Sequence, residues 1–221
     1  MCIMCIMTCF PAAASAAEIP LPEIVENKEA TSGACGENVT FNFSGGTLTV
    51  SGTGPMTEWD IYTFVPWNNI AGSIRSVVIE EGVTSIGSCA FSQCSMLTSV
   101  SISSTVQMIS AYAFSGCPQL RGIVIPANVE KIGRYAFYNC EKLSEVGYPA
   151  GWVSVPAYNA YRGYYSSPFE GCSSLKEITV DDGVTAIPEH AFQSQTGIES
   201  VVLSDSVTAI GAWATTKPRK R

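Results

Sequence analysis

The chain has 221 residues, a net charge of −7, 46% apolar residues and 14% charged residues. The apolar share is ordinary for a folded chain. Four of the twelve basic residues (Lys217, Arg219, Lys220, Arg221) lie in the last five positions, so the body is more acidic than the total. An acidic body argues against a nucleic-acid partner, because phosphate backbones recruit Lys and Arg.

Residues 1–17, MCIMCIMTCFPAAASAA, are uncharged, first apolar and then small. They read as a secretory signal, with Ala14-Ser15-Ala16 or Ser15-Ala16-Ala17 suited to a signal peptidase. No Lys or Arg precedes the apolar run, which departs from the usual pattern. The run is too short to span a bilayer, so no transmembrane helix is expected. Thr8 is larger than the residue usual before a lipidated cysteine, which disfavours an anchor at Cys9. Residues 18–32 are polar and aperiodic and read as a linker.

Residues 33–73 are expected to form an N-terminal β cap, because the end coil of a repeat stack needs covering. Asn38 to Phe43 and Gly46 to Ser51 alternate apolar and polar residues around Ser44-Gly45, the pattern of a β-hairpin. Asn38 and Asn42 begin glycosylation sequons and should face its polar side. Trp59, Tyr62, Phe64 and Trp67 then read as an apolar plug beneath the hairpin, with a ligand patch as the rival.

From Ile74 a unit recurs. Its leading apolar residue falls at Ile74, Leu97, Leu120, Leu143, Leu175 and Ile198, in steps of 23, 23, 23, 32 and 23 residues. A fixed period in this range marks a stacked-repeat architecture. In the second copy Leu97, Val100 and Ile102 point one way from a short strand, and Ser99 and Ser101 the other. Val106 and Ile109 make a second apolar step, and Ala113-Phe114 a third. Such a coil cannot bury its own apolar sides, so coils must stack. Phe91, Phe114, Phe137, Phe169 and Phe192 should then run as a buried spine. The repeats are expected over 74–214. The last copy keeps Val201, Leu203, Val207 and Ile210 but has Thr215 where Phe is due, and residues 215–221 form a basic tail.

Leu120 to Cys140, LRGIVIPANVEKIGRYAFYNC, fits L-x-x-[IV]-x-[IV]-P-x-x-V-x-x-I-G-x-x-A-F-x-x-C at every position. That pattern resembles the BspA-like leucine-rich-repeat surface proteins. Cys35 to Met56 and Pro66-Trp67 also look like the segment preceding the repeats in that family. The resemblance spans roughly 33–211. It implies a right-handed, gently curved leucine-rich-repeat solenoid of the β-rich α/β kind. One parallel sheet should line a face, built from segments such as Val77–Ile79, Val100–Ile102, Ile123–Ile125 and Ile178–Val180. Short second strands and helical or 3₁₀ turns should fill the other sides.

No constellation carries catalysis. Cys94, Cys117, Cys140 and Cys172 share one repeat position and should form a ladder of buried thiols. Four ligands in a line fail the tetrahedral demand of zinc, so neither a metal nor a cofactor is expected. Cys2, Cys5 and Cys9 fall in the leader. Cys35 and Cys89 remain, and a bridge between them stays open. His190 shares its repeat position with Cys89, Tyr112, Tyr135 and Trp213, a variable outer rung rather than a general-base niche. Glu80, Glu81, Asp181 and Asp182 read as a solvated acidic rim rather than a cation site.

The nine extra residues of the 32-residue step are the one irregularity. They fall between Val155 and Phe169, with the insertion placed at 157–165. Tyr158, Tyr161, Tyr164 and Tyr165 crowd there with Arg162. Insertions in repeats map to surface loops, often at binding faces, and Tyr-rich composition suits recognition. The competing expectation is that the rings pack on the outer wall. The resemblance implies a secreted or cell-surface, non-catalytic binding module, with a protein or glycan as partner. A structural spacer or a fragment of a surface enzyme are the alternatives.

Overall fold

The computed structural model describes residues 31–60, 62–152, 158–159, 164–165, 167–180, 182–189, 191–192, 197–212 and 214. The chain winds into stacked coils, one per repeat. Strand Ser76–Ile79 pairs in parallel with Ser99–Ile102, Val77 against Val100 and Ile79 against Ile102. Each partner is thus 23 residues on, which is the sequence period. The alternation of the strands decides the faces: Val77 and Ile79 are buried, while Ser99 and Ser101 are exposed. A corner follows at Gly82, whose φ of 99° favours glycine and where a Cβ would lie 2.4 Å from the Gly52 carbonyl. The second strands Val83–Ile86, Met108–Ile109 and Lys131–Ile132 then stack in parallel.

Single turns close the third side. Their bonds run from residue i+3 back to i, as from Ala113 N to Ser110 O (3.4 Å) and from Ser115 N to Tyr112 O (3.1 Å). Each turn also donates to the next coil, as from Phe114 N to Ala136 O at 2.7 Å. Cys89, Tyr112 and Tyr135 adopt the left-handed region at φ 57°. That conformation is strained for residues bearing a Cβ. Here the bonds between coils offset it, Tyr112 N reaching Arg134 O at 3.1 Å.

The phenylalanine spine is present. Phe91, Phe114, Phe137 and Phe169 stack with ring centroids 5.3–5.4 Å apart and interplanar angles of 5–16°. Trp67 extends the stack by one coil, 5.5 Å from Phe91, and its indole N–H donates to Ala90 O at 2.9 Å. Phe192 is buried but joined differently. Tyr148 and Trp152 stand where other coils carry small aliphatic residues, and both meet Phe192 edge-on. Trp152 also meets Phe169 edge-on. The coil that carries the insertion is therefore filled by two larger rings.

The N-terminal hairpin pairs Val39–Ser44 with Thr47–Gly52. The expectation for its turn is off by one residue: Gly45 (φ 58°) and Gly46 (φ 84°) are the central pair, not Ser44 and Gly45. Two successive positive φ values define the turn that matches strand twist, and glycine adopts both without strain. Thr47–Gly52 also pairs in parallel with Ser76–Ile79 and so converts the antiparallel hairpin into the stack. Asn38 and Asn42 are exposed.

The expected plug needs correction. Trp67 is buried, and Trp59 meets it edge-on at 5.5 Å, but Tyr62 and Phe64 are 85% and 80% exposed. The reason is Asp60. Its Oδ1 accepts the N–H groups of Tyr62 and Thr63, both at 2.8 Å, and turns the chain outward before Pro66.

The strand face is not one continuous sheet. One ladder runs from Ser32–Ala34 to Ser99–Ile102, and a second from Gly122–Ile123 to Ser200–Val202. Pro126 removes one of the bonds between neighbouring coils at the break, as Pro149 does in the next coil, where the strands still pair. At its repeat position Glu80 N donates to Val50 O and Ser103 N to Ile79 O. Proline has no N–H to give, and Gly122 weakens the same strand. At the far end the apolar residues of the last coil remain open, with Ile210 57% and Leu203 41% exposed.

The register makes a direct prediction. Ser101→Ala on the outward face should change stability by under about 0.5 kcal/mol in a urea melt. A larger loss would mean that the strand's faces are misassigned.

Candidate functional site

The insertion falls between two buried residues, Trp152 and Ser167. Ser167 is anchored by its hydroxyl, which donates to Ala191 O at 3.3 Å. Phe169 follows in the spine, so the coil closes despite the insertion. Between these anchors Tyr158–Asn159 pairs antiparallel with Tyr164–Tyr165, Tyr158 opposite Tyr165 and Asn159 opposite Tyr164. The insertion is thus a short two-stranded ribbon, a form that its composition does not announce. Of the residues singled out by sequence, Tyr158, Tyr164 and Tyr165 are brought together in its backbone ladder. Tyr161 and Arg162, which fall between the two strands, lie outside the described residues, as do Val155 and His190.

The cysteine ladder is built as spaced. Cys117 Sγ donates to Phe91 O at 3.2 Å, Cys140 to Phe114 O at 3.1 Å and Cys172 to Phe137 O at 3.1 Å. Each thiol therefore ties its coil to the preceding spine residue. Burial pushes the Cys94 thiol up to about 12. Cys117 is raised by its contact with Cys140 and by burial. Cys172 is raised by burial and by the neighbouring Cys140. Such thiols are poor nucleophiles, since the thiolate is the reactive form. Cys35 and Cys89 are both free, so the bridge left open by the sequence is absent here. Half-buried Cys89 should react with a thiol reagent at pH 8 well before Cys94, Cys117 or Cys172. Mass spectrometry of partially labelled protein reads the order, and early labelling of the ladder would contradict its burial.

Two other surface features stand out among the described residues. A groove of about 560 Å³ lies on the strand face across the break, between Ser99, Gly122, Glu145 and Glu177. Val124 stands 79% exposed in it. The second feature is the loop at Glu58–Phe64. Glu58 locks it to the coils, accepting from Ser88 N at 2.8 Å and from Ser110 Oγ at 2.7 Å. Within it the Tyr62 and Thr63 N–H groups hold the Asp60 carboxyl below its ordinary range. The Asp-x-x-Thr spacing of Asp60 and Thr63 is the sequence signal for this turn.

Glu81 is part of the fabric, accepting from Ser104 N and Oγ at 3.2 and 3.1 Å. Among the described residues no group of three His, Cys, Asp or Glu side chains is placed to hold a metal ion. No helix there is long and apolar enough to cross a membrane.

Comparison with known proteins agrees with this geometry. A family model described as "BspA type Leucine rich repeat region (6 copies)" matches residues 67–163 and 154–216. A leucine-rich repeat protein from Eubacterium ventriosum superposes with a TM-score of 0.51 at 19% identity. The match covers 82% of this chain and 62% of that one, so this chain spans less than two thirds of that relative. The leucine-rich repeat protein of T. pallidum superposes with a TM-score of 0.52 at 19% identity, over 77% of this chain and 82% of that one. At this identity the likeness concerns the fold. No curated protein matches the sequence.

Proposed function

Because the chain belongs to the BspA-type leucine-rich-repeat family, we propose that it is a non-catalytic binding module of a bacterial cell surface or secreted protein. In this reading the rigid stack of coils displays the ribbon around Tyr158–Asn159 and Tyr164–Tyr165, which meets a protein or glycan ligand. One observation carries the proposal: the only coil that departs from the 23-residue step keeps its buried anchors, Trp152 and Ser167, and uses the excess chain as a paired ribbon. An idle linker would be rich in Gly, Ser or charge. Tyrosine instead offers large amphipathic contact area with little conformational entropy to lose. Tyr161 and Arg162 belong to the same segment and are part of the proposed site.

Deleting Ala157 to Tyr165 returns the 32-residue step to 23. The shortened protein should keep its circular dichroism spectrum and melting temperature. It should lose at least about tenfold in affinity, or 1.4 kcal/mol, for the best hit of a matrix-protein and glycan array. Undiminished binding would move the site elsewhere, with the groove at Gly122, Glu145 and Glu177 next in line. Unfolding of the deletion variant would mean that the rings belong to the core.

A further inference from the structure

The loop at Glu58–Phe64 is tied to the stack through Glu58 and Trp59, while Tyr62 and Phe64 are exposed. Apolar rings as open as Tyr62 and Phe64 are ordinary singly, but here two lie two residues apart at a braced turn. Asp60 Oδ1 accepts two backbone N–H groups, and Asp60 N donates back to Thr63 Oγ1 at 2.9 Å. Oδ2 has no partner among the described residues. This carboxylate and the backbone that carries the rings are therefore held in place before any partner arrives.

The surroundings set the chemistry of that partner. Residues 31–73 contain Glu37, Glu58 and Asp60 but no Lys, Arg or His. The Glu37 turn lies beside the loop, since Thr57 N donates to Cys35 O at 2.7 Å. Lys131 and Arg134 share a groove with Glu58, but an acidic segment bearing two exposed rings suits ammonium and guanidinium groups, which bind carboxylates and the faces of aromatic rings. The same contact already occurs inside the molecule, where the Arg134 guanidinium sits 5.8 Å over the Tyr112 ring.

The chain carries such a partner itself. The run Lys217-Pro218-Arg219-Lys220-Arg221 holds four cations in five residues. Its backbone falls short of the loop of its own copy. Trp67 and Ala214 are six coils apart, which at about 4.8 Å per coil is roughly 29 Å. Arg221 is the seventh residue after Ala214, and seven extended residues span at most about 25 Å. We infer that the loop bearing Asp60, Tyr62 and Phe64 is a docking site for the basic segment 217–221 of a second copy. Two copies lying antiparallel make the contact twice, which closes the assembly as a symmetric dimer. This surface is separate from the tyrosine ribbon, so either proposal stands without the other.

Light scattering on the full chain tests the inference. In 50 mM salt the mass should be twice the 23.5 kDa of one chain. It should fall to one chain in 500 mM salt, where screening weakens exposed charge pairs. Tyr62→Ser with Phe64→Ser should give a monomer in 50 mM salt. So should replacement of Lys217, Arg219, Lys220 and Arg221 by Ser, with an unchanged circular dichroism spectrum as the control for folding. A labelled peptide of residues 216–221 should bind the tail variant at least tenfold more tightly than it binds the chain carrying both the loop and the tail changes. A monomeric parent in 50 mM salt overturns the proposal. So does a dimer that survives either set of changes, or peptide binding indifferent to Tyr62 and Phe64.

Discussion

Phe114→Ala is expected to lower the free energy of unfolding by about 3–5 kcal/mol, the usual cost of removing a buried phenyl ring. Phe114 is fully buried and lies between Phe91 at 5.3 Å and Phe137 at 5.4 Å. Its backbone N–H is committed to Ala136 O, and its carbonyl accepts from the Cys140 thiol. The coil therefore cannot collapse onto the space left behind. In a stack whose units touch only their neighbours, stability is a sum of coil and interface contributions. Loss of Phe114 weakens both of its interfaces at once. The unfolding transition should broaden as well as shift, because the coils on either side become less coupled. A urea melt followed by circular dichroism measures both effects. A loss as small as that expected for Ser101→Ala would show that the spine is not where the stack is held.

The spine was legible because each of its positions recurs, and a repeated residue type at a constant interval leaves few alternatives. The same is true of Cys94, Cys117, Cys140 and Cys172, whose shared position became a ladder of thiol-to-carbonyl contacts. What resisted reading was set by single atoms. Tyr62 and Phe64 look like core by residue type, but the Asp60 carboxylate turns the backbone there and carries both rings outward. Tyr148 and Trp152 kept the apolar spacing, while their size, not their hydrophobicity, fills the coil that carries the insertion. The insertion was legible as excess length within one repeat step. Its pairing of Tyr158 with Tyr165 was not, because two-residue strands carry no period.

Alkaline pH is expected to destabilise the protein steeply, through the thiols rather than through surface charge. In the folded state burial pushes Cys94 up to about 12, against an ordinary value of 9.0. Cys117 and Cys172 are raised in the same direction. Below the ordinary thiol range both states hold their protons, and the ladder contributes its full stability. As pH rises past 9 the unfolded chain ionises these thiols while the folded chain does not. The unfolded state then binds fewer protons, so stability falls until the pH reaches the folded values. For one such thiol the loss is roughly 1 kcal/mol between pH 9 and 10 and approaches about 1.4 kcal/mol per unit beyond. Cys94 alone should lose roughly 1 kcal/mol over the first unit, and Cys117 and Cys172 act in the same direction. Buried Tyr148, also raised by burial, acts in the same direction at higher pH. Urea melts at pH 8, 9 and 10 in a non-thiol reductant measure the slope. Replacing Cys94, Cys117 and Cys172 by Ala should lower stability at pH 8 but flatten its decline between pH 9 and 10. If the variant keeps the parent's decline, the ladder does not hold its protons in the folded state, and the destabilisation has another source.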